Sequence, residues 1–474
     1  MALFLPVVVL GYYLLVGRSR QATLLFLVTS SFFFYLYWNW RLGWIIALSI
    51  AINYGLGKLI YNKGKAGASK NYLILGVCFN LFLLGYFKYA GFLITNINGL
   101  FKSGFTVPQI ILPLAISFFT FQQIAYLVDV HRKKVSGGYH SLVDYTFFVA
   151  FFPQLIAGPI VHHSDIIPQL ADEKLPEIVE KRYENLAKGL SIFLIGLFKK
   201  VYIADTLALV ADQIFDLKSF SGLTTPTAWI GVLAYSLQLY FDFSGYSDMA
   251  IGLGRMLGIK LPINFNSPYK AVSIADFWRR WHITLSTFLR DYLYFSLGGN
   301  RVGKIRHNFN LFLTMLLGGL WHGAGWTFVI WGALHGLFLI VNRVFSQFFS
   351  GTSFRIPVAL SRLLTFICVA IAWTYFRADG ISDADQILEK MLFNFNFSST
   401  VKLHNFDWII LVTGLILAFW APNTAELFSY KETSLKIKKL QWKPNLAWGC
   451  FLLFVGFGSF LYLSREVKFI YFQF

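Results

Sequence analysis

The segment FDFSGYSDMAIGLGRMLGIKLPINFNSPY at 241–269 is followed by ADFWRRWHITLSTFLRDYLYFSLGGNR at 275–301 and GGLWHGAGWTFVIWGALHG at 318–336. This stretch contains two histidines that each directly follow a tryptophan, His282 after Trp281 and His322 after Trp321, 40 positions apart. His282 lies in a basic segment, whereas His322 lies inside a long apolar run. An ionisable ring at membrane depth is costly unless it has a partner or a task, so His322 is a candidate functional residue. His282 alone is a weaker candidate, because an interfacial histidine is often only a satisfied surface group.

The composition places this stretch in a membrane protein. The chain has 474 residues, of which 56% are hydrophobic and 14% are charged, whereas soluble domains are about 25% charged. Long unbroken apolar runs favour helices over the alternating strands of a β-barrel. The net charge of +18 would suggest nucleic acid in a soluble protein. Here the basic residues cluster in loops, so we expect membrane lipids and an anionic cytosolic ligand, and no nucleic acid.

Cysteine use and the amino terminus exclude several other classes. The three cysteines all lie in apolar stretches, with neither a disulfide framework nor metal-ligand spacing. We expect no metal ion and no permanently bound cofactor. The first segment, MALFLPVVVLGYYLLVGRSR, lacks a basic region before its apolar core, so it reads as a retained first span and not as a cleaved signal peptide.

The apolar runs predict an all-α polytopic integral membrane protein with about 11–12 transmembrane helices, since about 20 apolar residues suffice to cross a bilayer. The run 143–161 contains two prolines and a glycine, so we predict a re-entrant or broken segment there. The run 189–212 is unusual because Lys199 and Lys200 fall inside it. The predicted spans are 1–16, 21–40, 42–60, 72–92, 110–130, 189–212, 226–247, 308–324, 326–342, 363–377, 405–425 and 445–463.

Basic loops orient these spans. If they all face the cytosol, both termini of the chain are extracytoplasmic. The loop 165–188 is then cytosolic, and 378–404 forms an external amphipathic helix followed by a polar loop. The clusters are Arg18 with Arg20, Lys58 to Lys70, His131 to Lys134, Arg255 to Arg306, Arg343 to Arg362, and Lys431 to Lys443.

The basic block that includes Arg279 and Arg280 has two compatible interpretations. Aromatic residues interleave with its cations, as in an interfacial helix that directs charged groups toward lipid headgroups. The second interpretation is a cytosolic mouth for a phosphate-bearing donor, because arginine forks match phosphate oxygens. We therefore consider both arginines candidate donor-binding residues.

Glycines surround His322 on both sides, at 318–319 and at 323–325, which allows close helix packing or a helix break. The alternative is a core histidine bonded to a backbone carbonyl, and this is the stronger interpretation for His335. Asp242 could pair with a cationic histidine or arginine, and Asp276 predicts a helix start. The sequence has no G-x-S-x-G elbow, no phosphate-binding loop and no H-E-x-x-H motif.

The same residues carry a family resemblance. The segments FFPQLIAGPI (151–160), QLYFDFSGYSDMAIG (238–252), LPINFNSPY (261–269), FWRRWHITLSTFLRDYLY (277–294) and LWHGAGWTFVIWGALHG (320–336) resemble the membrane-bound O-acyltransferase (MBOAT) family, in its bacterial branch of alginate, peptidoglycan and teichoic-acid acylating proteins. The resemblance implies a single MBOAT domain over 1–474, with helices around a transmembrane tunnel and the catalytic core at 241–335. The two histidines of the family correspond to His282 and His322.

The chemistry of acyl transfer agrees with this resemblance. Moving an acyl group from a thioester to a hydroxyl requires a base, and a neutral histidine is suited to that task. We assign His322 as the base and place His282 near the donor thioester. Trp281, Trp321, Asp242 and His335 are expected to support this pair. The donor is expected to be cytosolic acetyl-CoA and the acceptor an extracytoplasmic polysaccharide, reached through an SGNH-type acyltransferase partner.

Two other functions stay open at this point. The closer alternative is D-alanyl transfer to teichoic acid, as in one part of the same bacterial branch. The alternative of another class is a polysaccharide or lipid transporter without covalent chemistry, which fits the composition but leaves the paired Trp-His motifs unexplained.

The last six residues, FIYFQF at 469–474, are almost wholly aromatic. One interpretation is that they belong to an aromatic belt at the membrane interface. In another, the spacing Phe-x-Tyr-x-x-Phe resembles the motif of a small partner of the D-alanyl-transferring members, in which the tyrosine carries the acyl group. That resemblance makes 469–474 a candidate carrier tail and Tyr471 a candidate acyl carrier.

Overall fold

The computed structural model describes residues 3–64, 67–135, 138–393, 395, 404–429 and 438–464. Every regular element among these residues is helical, in agreement with the predicted all-α class. The contacts divide the chain into two compact units. The first consists of Met1–Phe193 with Met249–Pro262, and the second of Leu194–Asp248 with Ile263–Phe474.

The first unit contains the amino-terminal helices. They are α1 (Phe4–Leu15), α2 (Arg20–Asn39), α3 (Gly43–Lys63), α4 (Gly67–Leu84), α5 (Ala90–Phe101), α6 (Ile116–His131), α7 (Leu142–Ala150), α8 (Phe152–Leu155), α9 (His163–Ile166), α10 (Leu175–Glu180) and most of α11 (Arg182–Phe198).

The second unit contains the remaining helices and all the candidate site residues that the structure describes. They are α12 (Asp205–Phe215), most of α13 (Thr225–Met256), α14 (Ile274–Arg280), α15 (Ile283–Phe288), α16 (Lys304–His322), α17 (Trp326–Phe348), α18 (Val358–Arg377), α19 (Ile381–Leu392), α20 (Asn405–Phe419), α21 (Thr424–Leu427) and α22 (Leu446–Tyr462).

Several helices have the length and hydropathy needed to cross a membrane. Among the described residues, four helical segments qualify, at Arg20–Lys63, Gly67–Phe101, Trp326–Phe348 and Val358–Arg377. The shorter apolar helices α1, α20 and α22 accompany them. The predicted spans 21–40 and 42–60 correspond to α2 and α3, which a short 3-10 turn at Trp40–Leu42 separates.

The run 143–161 is broken, as predicted. Helix α7 ends at Ala150, and the non-helical backbone of Phe151 separates it from the single turn of α8. Pro153 lies within that turn. No regular element is present between Leu155 and His163, so this part of the chain does not form one continuous spanning helix.

The two lysines inside 189–212 are accommodated by ion pairs. A π-helical turn at Lys199–Ala204 connects α11 to α12. Lys199 pairs with Asp248 and contacts Thr424, while Lys200 pairs with Asp205 at 2.7 Å and with Asp242 at 2.6 Å. The expectation that Asp242 pairs with a histidine or an arginine is therefore wrong. A primary ammonium group from the neighbouring helix neutralises this carboxylate.

One glycine sets the register of these ion pairs. Asp242, Gly245 and Asp248 are three positions apart on α13, so they share a helix face. A Cβ atom on Gly245 would lie 2.7 Å from the carbonyl oxygen of Gly196 and 3.0 Å from the amide nitrogen of Lys200. Only glycine allows this approach, which brings both carboxylates within reach of the lysines.

Candidate active site

The first histidine lies at a sharp break between two short helices. Ser273 caps α14, because its hydroxyl accepts a hydrogen bond from the backbone N–H of Asp276. Asp276 therefore occupies the first turn of a helix, in agreement with its prediction as a helix start. The helix ends before Trp281, and His282 adopts a left-handed backbone with φ of 41° before α15 begins. This turn directs the imidazole into the protein interior, where it is fully buried.

A hydrogen bond that His282 donates to Asn264 fixes the tautomer of His282. The Oδ1 atom of Asn264 lies 3.1 Å from Nδ1 of His282. The same oxygen accepts hydrogen bonds from the backbone N–H and the hydroxyl of Thr284, at 3.3 and 3.0 Å, so the orientation of the amide is determined by its partners. Since Oδ1 can only accept, Nδ1 of His282 carries the proton.

The opposite nitrogen of His282 therefore has the lone pair. Nε2 is buried and has no hydrogen-bond partner among the described residues. Burial lowers the pKa of His282, which lies outside the helices long enough to span, far below its ordinary value of about 6.5. The imidazole is neutral at neutral pH and can accept a proton or a hydrogen bond at Nε2.

The second histidine is the last residue of α16. Gly323 is extended and ends this helix, and Gly325 precedes α17. The glycines flanking His322 thus produce the helix break that the sequence predicts. They also allow close packing of the two helices, because a Cβ atom on Gly319 would lie 2.3 Å from the carbonyl oxygen of Phe328.

The two imidazoles, 40 positions apart in sequence, lie side by side in space. Their ring centroids are 6.4 Å apart. The Trp321 ring lies beside both, 6.2 Å from His282 and 5.0 Å from His322. Phe243 packs edge-on against His282 at 4.7 Å and directly follows Asp242, the partner of Lys200. The predicted pair and Trp321, one of its predicted supporting residues, thus form one cluster.

Trp281 and His335 belong to a cluster of aromatic rings next to the two histidines. Trp281 is almost fully buried, and its ring lies 5.0 Å from that of Trp373. His335 is fully buried and accepts a hydrogen bond at Nδ1 from the indole N–H of Trp278, at 3.2 Å. Its ring is 4.8 Å from that of Trp331, which in turn contacts His322 at 5.0 Å. Trp331 therefore connects His335 to His322.

Arg279 and Arg280 have different environments. The side chain of Arg279 is 73% exposed and lies 3.8 Å from Asp276. Arg280 donates to Asp276 at 3.0 Å and to the carbonyl oxygen of Asn266 at 3.3 Å. Arg280 thus ties α14 to the preceding loop, whereas Arg279 presents its guanidinium to solvent.

Sequence reasoning missed three residues of this cluster. Asn264 lies in the quoted segment LPINFNSPY, but an asparagine in a loop gives no local signal of its partner. Trp331 and Phe376 contact His322 at 5.0 and 5.3 Å and read only as apolar positions of helices. The candidate carrier Tyr471 lies outside the described residues. No group of three or more potential metal ligands is present in the part of the chain that the structure describes.

Comparison with known proteins identifies this architecture. A family model described as "MBOAT, membrane-bound O-acyltransferase family" matches residues 130–380. The chain belongs to the MBOAT family. It is therefore a multi-pass membrane protein and an acyltransferase, and not the transporter that composition alone left open.

Several relatives of this MBOAT chain have established names. It is 42% identical to a peptidoglycan O-acetyltransferase of Helicobacter pylori, over 99% of this chain and 95% of the relative. It is 44% identical to the probable alginate O-acetylase AlgI of Pseudomonas aeruginosa, over 88% and 78% of the two chains. A teichoic acid D-alanyltransferase of Bacillus subtilis is 30% identical, over 49% of this chain and 60% of the relative.

The hydrogen bond to His282 generates a prediction. Replacing Asn264 by leucine leaves Nδ1–H of His282 and the N–H of Thr284 without their acceptor, which costs about 1–3 kcal/mol for each buried group. We expect the rate of acyl transfer per folded protein to fall at least roughly tenfold. Steady-state kinetics on the purified variant, with thermal unfolding in detergent, measures both effects.

The matched control for this change is Asn310→Leu. Asn310 is equally buried but donates to the carbonyl oxygens of Leu297 and Gly299. Its replacement is expected to lower stability while the folded fraction keeps its activity. Equal losses of activity per folded protein in both variants would contradict a specific role for Asn264.

Proposed function

We propose that this acyltransferase moves an acetyl group from cytosolic acetyl-CoA across the bacterial inner membrane, for the O-acetylation of an extracytoplasmic polysaccharide. The observation that carries this proposal is the pair of buried imidazoles 6.4 Å apart, one of which has a fixed lone pair. The acceptor polymer would be peptidoglycan, alginate or another exopolysaccharide. The names of the relatives matched over most of this chain support acetyl as the transferred group.

The D-alanyl alternative has weaker support. The D-alanyl-transferring relative from Bacillus subtilis matches 49% of this chain, whereas the peptidoglycan O-acetyltransferase from Helicobacter pylori matches 99%. Both activities would use the same pair of histidines. The two activities therefore differ in the acyl donor that they use. Measuring whether the purified protein turns over acetyl-CoA tests this difference directly.

The proposed reaction is acyl transfer from a thioester to a hydroxyl. The hydroxyl oxygen attacks the acyl carbonyl carbon, a C–O bond forms, and the C–S bond breaks. His322 takes the hydroxyl proton and returns it to the leaving thiolate. A thiol has a reference pKa of about 8.5, so this leaving group needs little acid assistance. His282 would lie near the donor thioester, where the lone pair of Nε2 can accept a hydrogen bond.

The two substrates would approach from opposite sides. Acetyl-CoA carries several negative charges and cannot cross a bilayer, so it would bind on the basic cytosolic side near Arg279. The hydroxyl acceptor would enter from the extracytoplasmic side, through the tunnel that the family resemblance implies. An SGNH-type acyltransferase outside the membrane would then pass the acetyl group to the polymer.

The histidine assignment predicts a clear kinetic result. His322→Ala is expected to abolish acyl transfer, and His282→Ala to reduce it by at least roughly a hundredfold, the usual contribution of a positioned proton acceptor. Turnover of acetyl-CoA with a soluble hydroxyl acceptor measures both variants. His307→Ala is the control, because His307 lies on the same helix, α16, but packs against Tyr294. Wild-type turnover by His322→Ala would contradict the assignment.

The donor assignment distinguishes the two arginines. Arg279→Gln is expected to raise the KM for acetyl-CoA roughly tenfold, since one charge-assisted hydrogen bond contributes about 1.5 kcal/mol. Salt should raise the wild-type KM and have less effect on this variant. Arg280→Gln is expected mainly to lower thermal stability, because it loses the bonds to Asp276 and Asn266. If Arg279→Gln leaves the KM for acetyl-CoA unchanged and alters only the insertion of the protein into the membrane, these arginines determine topology and do not bind the donor.

The terminal tail adds a separate prediction. We propose that Tyr471 receives the acetyl group on its phenol oxygen and that Phe469, Phe472 and Phe474 anchor the tail. The acetylated tail would then deliver the acetyl group to the external acyltransferase. Tyr471→Phe is then expected to keep the aromatic anchor of the tail but to stop acetyl transfer to the polymer. Mass spectrometry with acetyl-CoA supplied and no external partner should detect acetylated Tyr471. A fully active Tyr471→Phe variant, or a carboxyl terminus mapped to the cytosol, would rule out the carrier role.

A further inference from the structure

Aromatic rings enclose His322 on several sides. Trp321 and Trp331 each lie 5.0 Å from its ring centroid, and Phe376 lies 5.3 Å away. All three meet the imidazole at steep angles of 73–84°, so ring edges and faces are in contact. His282 lies beside it as well, at 6.4 Å. An acyl group that reaches His322 must therefore lie against these rings.

The wall that Phe376 forms is held from behind. Phe376 is only 2% exposed, and its ring lies 5.0–5.3 Å from the rings of Phe328, Trp331 and Trp373. The next residue, Arg377, pairs with Asp212 at 2.8 Å and with Asp216 at 2.7 Å. These ion pairs fix the carboxyl-terminal end of α18. A densely packed ring at a fixed helix end cannot move aside at low cost.

We propose that this aromatic wall restricts the enzyme to the shortest acyl groups, and that Phe376 is the residue that determines the limit. The inference rests on the proposed function, because it concerns the same acyl-transfer site. The acyl carbon must come within about 3–3.5 Å of the attacking oxygen that His322 deprotonates. An acetyl group adds only a methyl to that carbon. A propionyl or butyryl group extends further and meets the rings.

Phe376 is the most informative of the three rings to change. Trp321 is adjacent to His322 in the chain, and Trp331 joins His322 to His335 in the α16–α17 pair. Phe376 comes from α18, so truncating it changes no residue of α16 or α17 and neither histidine. Removing its ring enlarges the space beside His322 without removing a hydrogen bond.

The test measures acyl-chain preference in the purified full-length protein. The kcat/KM values for acetyl-, propionyl- and butyryl-CoA are determined with one soluble hydroxyl acceptor, by release of the free thiol. The wild type is expected to favour acetyl over butyryl by at least roughly tenfold, since a rigid pocket discriminates one methylene by about 10–200-fold. Phe376→Ala is expected to reduce that ratio about tenfold, through a gain with butyryl-CoA. Phe376→Leu, which keeps more of the packing, is expected to shift the ratio in the same direction.

Phe366→Ala is the matched control. Phe366 lies on the same helix, is 7% exposed, and packs against Tyr269 and Phe419 at 5.0 and 5.1 Å. It should keep the wild-type preference even where stability falls.

The outcomes separate this inference from the proposed function. A wild type that uses butyryl-CoA as well as acetyl-CoA overturns the inference, as does an unchanged ratio in the Phe376 variants, and both results leave acetyl transfer intact. The same shift in Phe366→Ala also overturns it. Failure of the wild type to turn over acetyl-CoA overturns the proposed function and the inference together.

Discussion

The close contact between Gly319 of α16 and Gly332 of α17 is the constraint on which the site depends. A Cβ atom on Gly332 would lie 2.5 Å from the carbonyl oxygen of Met315, and one on Gly319 would lie 2.3 Å from that of Phe328. Helices in lipid associate through such small-residue contacts, because the hydrophobic effect does not drive them together. This approach places His322, at the end of α16, against Trp331 near the start of α17. A larger residue at either glycine would separate His322 from Trp331 and its other aromatic neighbours.

Hydrogen bonds and ion pairs between buried polar groups of the second unit also hold the residues around the two histidines in position. Asn264 holds the tautomer of His282, and Lys200 neutralises Asp242, which directly precedes the phenylalanine packed on that histidine. Breaking a buried ion pair from one side leaves an uncompensated charge, a change that typically costs 3–5 kcal/mol. These pairs therefore fix the geometry of the site before substrate arrives. The imidazole of His282 is neutral at neutral pH because burial lowers its pKa.

Much of this organisation is predictable from sequence, for reasons that are local. Apolar runs identify α17 and α18, and glycines beside His322 identify the break after α16. The cost of placing a histidine in an apolar run singles out His322, and the family resemblance adds His282, whose complete burial the basic segment around it did not predict. Contacts between residues far apart in the chain are not predictable in this way. Asn264 is 18 residues from His282 in the chain, and Phe376 comes from a helix that no local pattern connects to His322. Asp242 was predicted to pair with the wrong residue type because helix register decides its neighbour. The role of Tyr471 stays a prediction.

The central claim is that acyl transfer through this histidine pair connects two sides of a membrane. The most direct test reconstitutes the purified protein in sealed vesicles of known orientation. Radiolabelled acetyl-CoA is supplied only on the face that exposes Arg279, and a membrane-impermeant hydroxyl acceptor only in the opposite compartment. We predict that label appears on the acceptor across the sealed bilayer. Label that appears only when donor and acceptor share one compartment would contradict transfer across the membrane.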